Sequence, residues 1–224
     1  MEQEFFDINN FNIHQNKFNS MLTKIQKLMV KIGNDPSNKV NGNLNQLLRV
    51  IIFNQLEFEY NYPKSDSLVM LQARYNMSFR DAQNFSMSRY MFFKINFISI
   101  LYFTLEQYAD NLLINDKLID KLTERNFRNK FRLLLSESKV SEFKKNEEIM
   151  TVFKFLRSTF HKGGIYHGEN KKYNFGSIEF EFIENQSPGV TTESLLFLIE
   201  NICQIIIEIT ESKRFLKFFK SDKI

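Results

Sequence analysis

The chain has 224 residues, of which 43% are hydrophobic and 25% are charged, so intrinsic disorder and a multidomain architecture are both excluded. Seven glycines and three prolines are too few for the turns of a β-sandwich or a propeller, and we expect a mostly helical protein. The net charge of +4 permits a phosphate-bearing partner without requiring one.

The first third of the chain predicts two helices separated by polar loops. Pro36 and Pro63 lie in such loops. Apolar residues at helical spacing predict a first helix that ends at Gly33, and Asn43 is the expected N-cap of a second helix that Pro63 ends.

The middle of the chain predicts a short helix and then two longer ones. The short helix follows Ser65. Ser78, with Asp81 three residues later, resembles a capping box and predicts the start of a long apolar helix that reaches about Leu113. A further helix is predicted from Asp116 to about Leu135.

After a polar stretch at 136–146, which is a solvated connector or a short helix, one more helix is predicted before the hairpin. Asn146 is its expected N-cap, and two acidic residues follow in the first turn. The helix should run to about His161, because Gly163 and Gly164 supply the positive φ angles that commonly terminate helices.

The last part of the chain predicts a hairpin and a terminal helix. Residues 171–175 and 178–182 bracket Gly176 and Ser177, a two-residue connection typical of type II′ hairpins. Pro188 marks the loop that follows, and an apolar helix begins near Thr191.

Together these elements predict an all-α bundle of about six or seven helices with one small β-hairpin before the last helix. We expect a single domain over 1–224. Within it, 1–62 is a candidate N-terminal helical appendage, and 63–224 is the bundle that carries the hairpin and the terminal helix.

Cysteine content and hydropathy predict the compartment. Cys203 is the only cysteine, which excludes an internal disulfide and a cysteine-based zinc site. The longest apolar stretch, 91–103, is interrupted by Lys94 and is too short for a bilayer. We therefore expect a cytoplasmic protein without a membrane partner. With three scattered histidines and no P-loop or dinucleotide fingerprint, we expect no metal and no cofactor.

The segment RSTFHKGGIYHG, residues 157–168, is the strongest candidate for a functional site. Arg157 and His161 are four residues apart and therefore lie close on one helical face. Arginine binds phosphate through its planar fork of donors, and histidine exchanges protons near neutral pH. The pair is chemically sufficient for metal-independent RNA cleavage, in which the 2′-hydroxyl attacks the phosphate. The alternative is that both residues have a structural role at the end of the helix.

This order of features resembles the HEPN superfamily, the higher eukaryotes and prokaryotes nucleotide-binding domains. The resemblance covers roughly residues 78–211, and its specific part is the R-x-x-x-H segment with the glycines after it. The usual motif has four to six intervening residues and Asn, Asp or His after the arginine, whereas this chain has three and Ser158.

The resemblance implies a dimeric ribonuclease of a toxin, CRISPR or anti-phage system. It also implies that Arg157 holds the scissile phosphate, that His161 transfers the proton and that Ser158 replaces the polar helper. Lys162 and His167 are further candidate binding residues, and His167 has the alternative role of starting the hairpin.

Glu106 and Asp110, one turn apart on the long helix, are weaker binding candidates. We expect them either to line a polar pocket opposite Arg157 or to form a solvated face.

The sequence thus favours a metal-independent endoribonuclease or RNA-binding HEPN-like protein that takes single-stranded RNA. We expect it to form a homodimer, because the long helix and the last helix are apolar over much of their circumference. The alternative is a non-catalytic helical module that binds a cognate partner protein or a nucleotide.

Overall fold

Seven α-helices and one β-hairpin make up the part of the chain that the structure, a computed structural model, describes: residues 8–32, 39–61 and 65–219. The elements in chain order are α1 (Ile8–Ile32), α2 (Lys39–Asn61), α3 (Ser65–Tyr75), α4 (Phe79–Asn115), α5 (Phe127–Ser138), α6 (Phe143–His161), β1 (Lys171–Phe175), β2 (Ile178–Phe182) and α7 (Thr192–Glu211). The predicted fold class is confirmed. The predicted stops at Gly33, Pro36 and Pro63 lie outside the described residues.

Local capping explains several of the boundaries. The Ser78 hydroxyl oxygen accepts a hydrogen bond from the amide of Asp81 at 3.1 Å, as predicted for the start of α4. Thr191 caps α7 in the same way, because its hydroxyl accepts from the amide of Ser194 at 3.0 Å. Short polar side chains at these positions therefore set where both helices begin.

Two predicted N-caps are wrong, because both asparagines lie inside a helix and donate their side-chain amides to backbone carbonyls. α2 begins at Lys39, and Asn43 lies inside it, where its side-chain amide donates to the Gln107 carbonyl of α4 at 3.3 Å. α6 begins at Phe143, and the buried amide of Asn146 donates to the Ser141 carbonyl at 2.9 Å.

The helix predicted from Asp116 to Leu135 is also wrong in its first half. Asp116 caps the end of α4, and its carboxylate binds Arg214 and Lys217 from the C-terminal segment. α5 starts only after Asn126, whose side-chain oxygen accepts from the Asn129 amide at 3.0 Å. Asp116 thus ends α4 and pairs with the C-terminal segment, and it does not begin a new helix.

The β-hairpin pairs antiparallel with Phe175 opposite Ile178, so its loop is Gly176 and Ser177, as predicted. Gly176 has a φ of 68°, the positive value that the first central residue of a type II′ turn requires. Phe180 and Phe182 are buried and attach the hairpin to the helices.

α4 and α7 run in the same direction through the centre of the bundle. Tyr90 is hydrogen-bonded to Thr192 at 2.9 Å, and Tyr108 is hydrogen-bonded to Thr210 at 2.8 Å. Both bonds are buried, and both span the same sequence separation. The two helices are therefore parallel and in register between these points.

The two N-terminal helices contribute to the same hydrophobic core as the remaining helices. α1 packs against α7 and α2 against α4, and exposed Lys24–Glu200 and Lys31–Glu211 ion pairs border the first contact. Their buried apolar side chains belong to the main cluster and include Met21, Ile25, Leu44 and Ile51. None of the described helices is both long enough and apolar enough to cross a membrane.

Candidate functional site

The C-terminal end of α6 is shaped by two glycines. Gly163 and Gly164 have φ angles of 79° and 84°. The Gly164 amide donates to the Thr159 carbonyl at 2.9 Å, the six-to-one bond of a Schellman motif. The predicted helix end is confirmed, and the motif turns the chain sharply so that the next residues fold back beside α6.

The outward face of the last two turns of α6 is cationic. Its side chains are half-buried or exposed, and none of them is acidic: Lys154, Arg157, Ser158, His161 and Lys162. At about 100° per residue, these five positions fall on one side of the helix. The structure thus places four of the predicted site residues on one continuous surface.

Arg157 is held by aromatic rings and has no acidic partner in the described part of the chain. Its guanidinium carbon lies 4.8 Å from the ring centre of Tyr102 and 5.5 Å from that of Phe103, both on α4. Its Nε is buried without a hydrogen bond, and no described residue forms an ion pair with it. The charge of Arg157 is therefore oriented but not neutralised.

The Tyr102 ring that supports Arg157 is itself firmly packed. It stacks on Phe127 with ring centres 4.4 Å apart. Burial, with a smaller contribution from the Glu106 carboxylate, raises the pKa of the Tyr102 phenol, although Arg157 acts in the opposite direction. The ring thus stays neutral and presents its π face to the guanidinium at physiological pH.

His161 is the last residue of α6, one turn after Arg157, and its side chain is exposed. No hydrogen bond or ion pair joins its ring to any residue that the structure describes. Both ring nitrogens are therefore available for proton transfer to an external ligand.

A pocket of about 280 Å³ opens beside this face, between α6 and the loop at 162–171. The predicted residues Ser158, Lys162 and His167 all line it, and Lys154 and Lys171 add two more cations. Arg157 and His161 are not among the lining residues. The predicted site residues are therefore divided: Ser158, Lys162 and His167 line the pocket, and Arg157 and His161 lie beside it on α6.

Tyr166 forms the inner wall of the pocket. Its phenol donates to the Glu169 carbonyl at 3.0 Å, and burial raises its pKa, so the donor stays protonated at neutral pH. Its ring contacts Phe155 and Phe182, with centres 5.9 and 5.3 Å away. A Cβ on Gly168 would lie 2.8 Å from the Tyr166 hydroxyl. Glycine at 168 is therefore what permits this ring position.

His167 lies at the mouth of the pocket and is exposed. Its Nδ1 donates to the side-chain oxygen of Asn185 at 3.2 Å in the tautomer that this pairing favours. Nε2 is then the ring nitrogen that remains for a ligand.

Glu106 and Asp110, the weaker binding candidates, do not line the pocket. Both bind the buried ammonium of Lys130 on α5, at 3.2 and 2.9 Å. Both carboxylates are partly exposed, and together they neutralise a buried cation. Their role is to join α4 to α5.

Cys203 offers no nucleophile. It is buried in α7, and burial raises the pKa of its thiol to about 12. In the described part of the chain, no group of three or more His, Cys, Asp or Glu side chains lies close enough to hold a metal ion.

Comparison with known protein families, with curated proteins and with solved structures finds no match for this chain. The description of the candidate site therefore rests on the geometry of its residues alone.

Sequence reasoning missed Lys154, Tyr166 and Lys171 as pocket residues, and Tyr102 as the support of Arg157. Lys154 was detectable, because Lys154, Ser158 and Lys162 recur every four residues on one helical face. Tyr102 carries no such signal, because its relation to Arg157 arises only when α4 packs against α6.

Proposed function

We propose that this protein is a HEPN-like, metal-independent endoribonuclease that cuts single-stranded RNA in the cytoplasm. The proposal rests on one observation: an oriented guanidinium without an acidic partner, Arg157, lies one helical turn from an exposed histidine, His161. An unneutralised arginine in this position favours an anionic ligand, and the phosphodiester of RNA matches its fork of donors.

The reaction uses the substrate's own 2′-hydroxyl as the nucleophile. His161 accepts the proton of this hydroxyl while its oxygen bonds to the adjacent phosphorus, and Arg157 stabilises the charge on the phosphoryl oxygens. The bond from phosphorus to the 5′-oxygen breaks, and the leaving oxygen takes a proton, which His161 or water supplies. The products are a 2′,3′-cyclic phosphate and a 5′-hydroxyl.

The test is cleavage of single-stranded RNA by the purified protein in excess EDTA, with DNA of the same sequence as the control substrate. Arg157→Ala and His161→Ala should each lower the rate by about 10²–10³-fold. The double variant should be no slower than the slower single variant, because the two residues act as one unit. Arg125→Ala, an exposed arginine outside the site, is the matched control and should cut normally.

Unchanged RNA cleavage in both single variants would refute the assignment of the pair. Growth inhibition on expression, lost in the same variants, would support the toxin or defence role that the HEPN resemblance implies.

We further propose that a second copy of the chain covers an exposed apolar stripe on α4. The stripe consists of Phe85, Phe92, Phe103 and Ile114, whose separations of 7, 11 and 11 residues are close to whole numbers of helical turns. Phe103 also contacts the Arg157 guanidinium, so the stripe is continuous with the catalytic residues. This continuity matches the HEPN resemblance, which implies that catalytic residues meet at a dimer interface.

Light scattering tests the dimer. The wild-type protein should have twice the chain mass of 26.8 kDa at micromolar concentration, and Phe92→Glu should give the monomer, because a buried charge without a partner destabilises an interface. Val30→Glu, at an apolar residue that is 84% exposed on α1, is the matched control. A wild-type monomer would overturn the proposal.

One observation favours the rival function, a non-catalytic module that binds a cognate protein or a nucleotide. The contacts of Arg157 with Tyr102 and Phe103 also fasten α6 to α4, which is a structural role in its own right. If Arg157→Ala unfolds the protein while Arg157→Lys folds and wild-type protein cuts no RNA, the rival is preferred.

A further inference from the structure

The pocket beside α6 has an excess of positive charge that the protein does not neutralise. Of its three lysines, Lys171 pairs with Glu169, with the two charged groups 3.4 Å apart. Lys154 and Lys162 form no ion pair with any described residue, and both line the pocket. Two lysines without an acidic partner in the described part of the chain, on one small cavity, favour an anionic ligand.

Hydrogen-bonding groups accompany these charges. The Ser158 hydroxyl and the ring of His167 border the same cavity. Thr159, 2% exposed, lies in its wall, and its hydroxyl is buried without a hydrogen-bond partner among the described residues. A tetrahedral oxyanion accepts hydrogen bonds in several directions and suits such a set of donors.

Apart from Gly168 and Glu169, whose carboxylate pairs with Lys171, the remaining lining is apolar and aromatic. Phe155, Ile165 and Tyr166 supply it, and the Phe155 and Tyr166 rings meet edge to face. Aromatic surface beside cations is the combination with which proteins bind nucleotides, because the base stacks while the phosphate is neutralised. At about 280 Å³ the pocket is at the lower end of ligand cavities, which typically start near 300 Å³, and therefore suits one nucleotide at most.

We propose that this pocket binds the phosphate group of a single nucleotide, through Lys154 and Lys162, at a position separate from Arg157 and His161. The inference rests on the proposed ribonuclease function for the source of that phosphate, the RNA chain next to the cleavage site. On α6, Lys154 lies between the other residues that line the pocket and the pair Arg157 and His161. A helix with its side chains is only about 10–12 Å wide. One strand can therefore reach both the pocket and the catalytic pair.

Calorimetric titration of the full chain with adenosine 5′-monophosphate tests the pocket without requiring cleavage. The nucleotide should bind, and adenosine without phosphate should bind at least about tenfold more weakly, since it lacks the charge-assisted hydrogen bonds of the phosphate. The Lys154→Ala, Lys162→Ala double variant should lose at least about tenfold in affinity for the nucleotide. The double variant Lys144→Ala, Lys213→Ala removes two exposed lysines that do not line the pocket and should bind normally.

A short RNA with 2′-O-methyl groups, which cannot be cut, distinguishes the two sources of phosphate. If this RNA binds and competes with the mononucleotide, the pocket holds a phosphate of the RNA chain. If the mononucleotide binds and the RNA neither binds nor competes, the link to RNA is overturned. Equal binding by wild type and the Lys154, Lys162 variant, or no binding of the mononucleotide at millimolar concentration, would overturn the pocket itself.

The two proposals fail separately. Arg157→Ala should slow cleavage by about 10²–10³-fold and keep mononucleotide binding, because Arg157 does not line the pocket. A wild-type protein that binds the mononucleotide but cuts no RNA would refute the ribonuclease and leave the phosphate pocket established.

Discussion

The guanidinium of Arg157 stacks over the ring of Tyr102, with 4.8 Å between the guanidinium carbon and the ring centre. Tyr102 belongs to α4 and Arg157 to α6, so this contact sets the position of the candidate phosphate-binding group relative to the bundle. A cation over an aromatic face is stabilised by about 0.5–2 kcal/mol, enough to favour one orientation of a flexible side chain.

Tyr102→Leu should therefore impair RNA cleavage by misplacing Arg157, whereas Tyr102→Phe, which keeps the ring, should retain it. We expect the leucine variant to lose at least about tenfold in kcat/KM, the equivalent of about 1.4 kcal/mol. Single-turnover cleavage measures the effect, and circular dichroism shows whether both variants fold. Wild-type rates in the leucine variant would show that the ring does not position Arg157.

Glu106 and Asp110 should matter for stability and not for cleavage, because both bind Lys130. Glu106→Gln should lower the free energy of unfolding by about 1 kcal/mol, and Lys130→Met by about 1–3 kcal/mol, since the latter leaves two carboxylates without their cation. Urea denaturation gives both values. A Glu106→Gln variant that is as stable as wild type but fails to cut RNA would instead support a role of this carboxylate in substrate binding.

The same ion pairs predict a pH dependence. Burial acts to lower the pKa of Lys130, but hydrogen bonds and charge interactions with Asp110 and Glu106 outweigh it, so the pKa is raised. The folded state thus holds this proton more tightly than the unfolded chain does. The resulting stability is fully present below the unfolded pKa of about 10.4 and is lost as the pH rises through the folded value. The stability difference between wild type and Lys130→Met should therefore shrink on going from about pH 8 to about pH 11.5.

The buried hydrogen bond between Tyr108 and Thr210 should show energetic coupling. Tyr108→Phe and Thr210→Val each leave the other hydroxyl buried without a partner, and each should cost about 1–3 kcal/mol. The double variant should cost less than the sum by about 1 kcal/mol, as a double-mutant cycle in urea would measure. Thr151→Val removes a buried hydroxyl that bonds only within α6 and should be additive with Tyr108→Phe. If the effects of Tyr108→Phe and Thr210→Val on the free energy of unfolding were also additive, the hydrogen bond between these two residues would be contradicted.

Lys139→Gly should stabilise the protein. Lys139 follows α5 with a φ of 53°, a left-handed conformation that disfavours residues with a Cβ. Its side chain is exposed, so little packing is lost. We expect a gain of about 0.5–1 kcal/mol in the free energy of unfolding, and none for Lys139→Ala, which keeps the Cβ. A glycine variant less stable than wild type would show that the entropy of glycine outweighs the relief of strain.

The helical class, the hairpin and the end of α6 could all be predicted from the amino-acid sequence. Short-range chemistry decides these features: Ser78 and Thr191 cap helices through neighbouring amides, and Gly163, Gly164 and Gly176 accept positive φ angles. The helical spacing of Arg157 and His161 follows from the same local rules, because four residues make about one turn of any α-helix.

The contacts of many polar side chains, in contrast, depend on how the helices pack. Asn43 and Asn146 have the local signature of helix caps but donate their amides elsewhere, and Glu106 and Asp110 bind a lysine that lies 24 and 20 residues away in sequence. The aromatic support of Arg157 and the cationic pocket likewise join residues from separate elements. Spacing along the chain carries no information about such contacts, because helix packing creates them and buried polar groups take whichever partners that packing supplies.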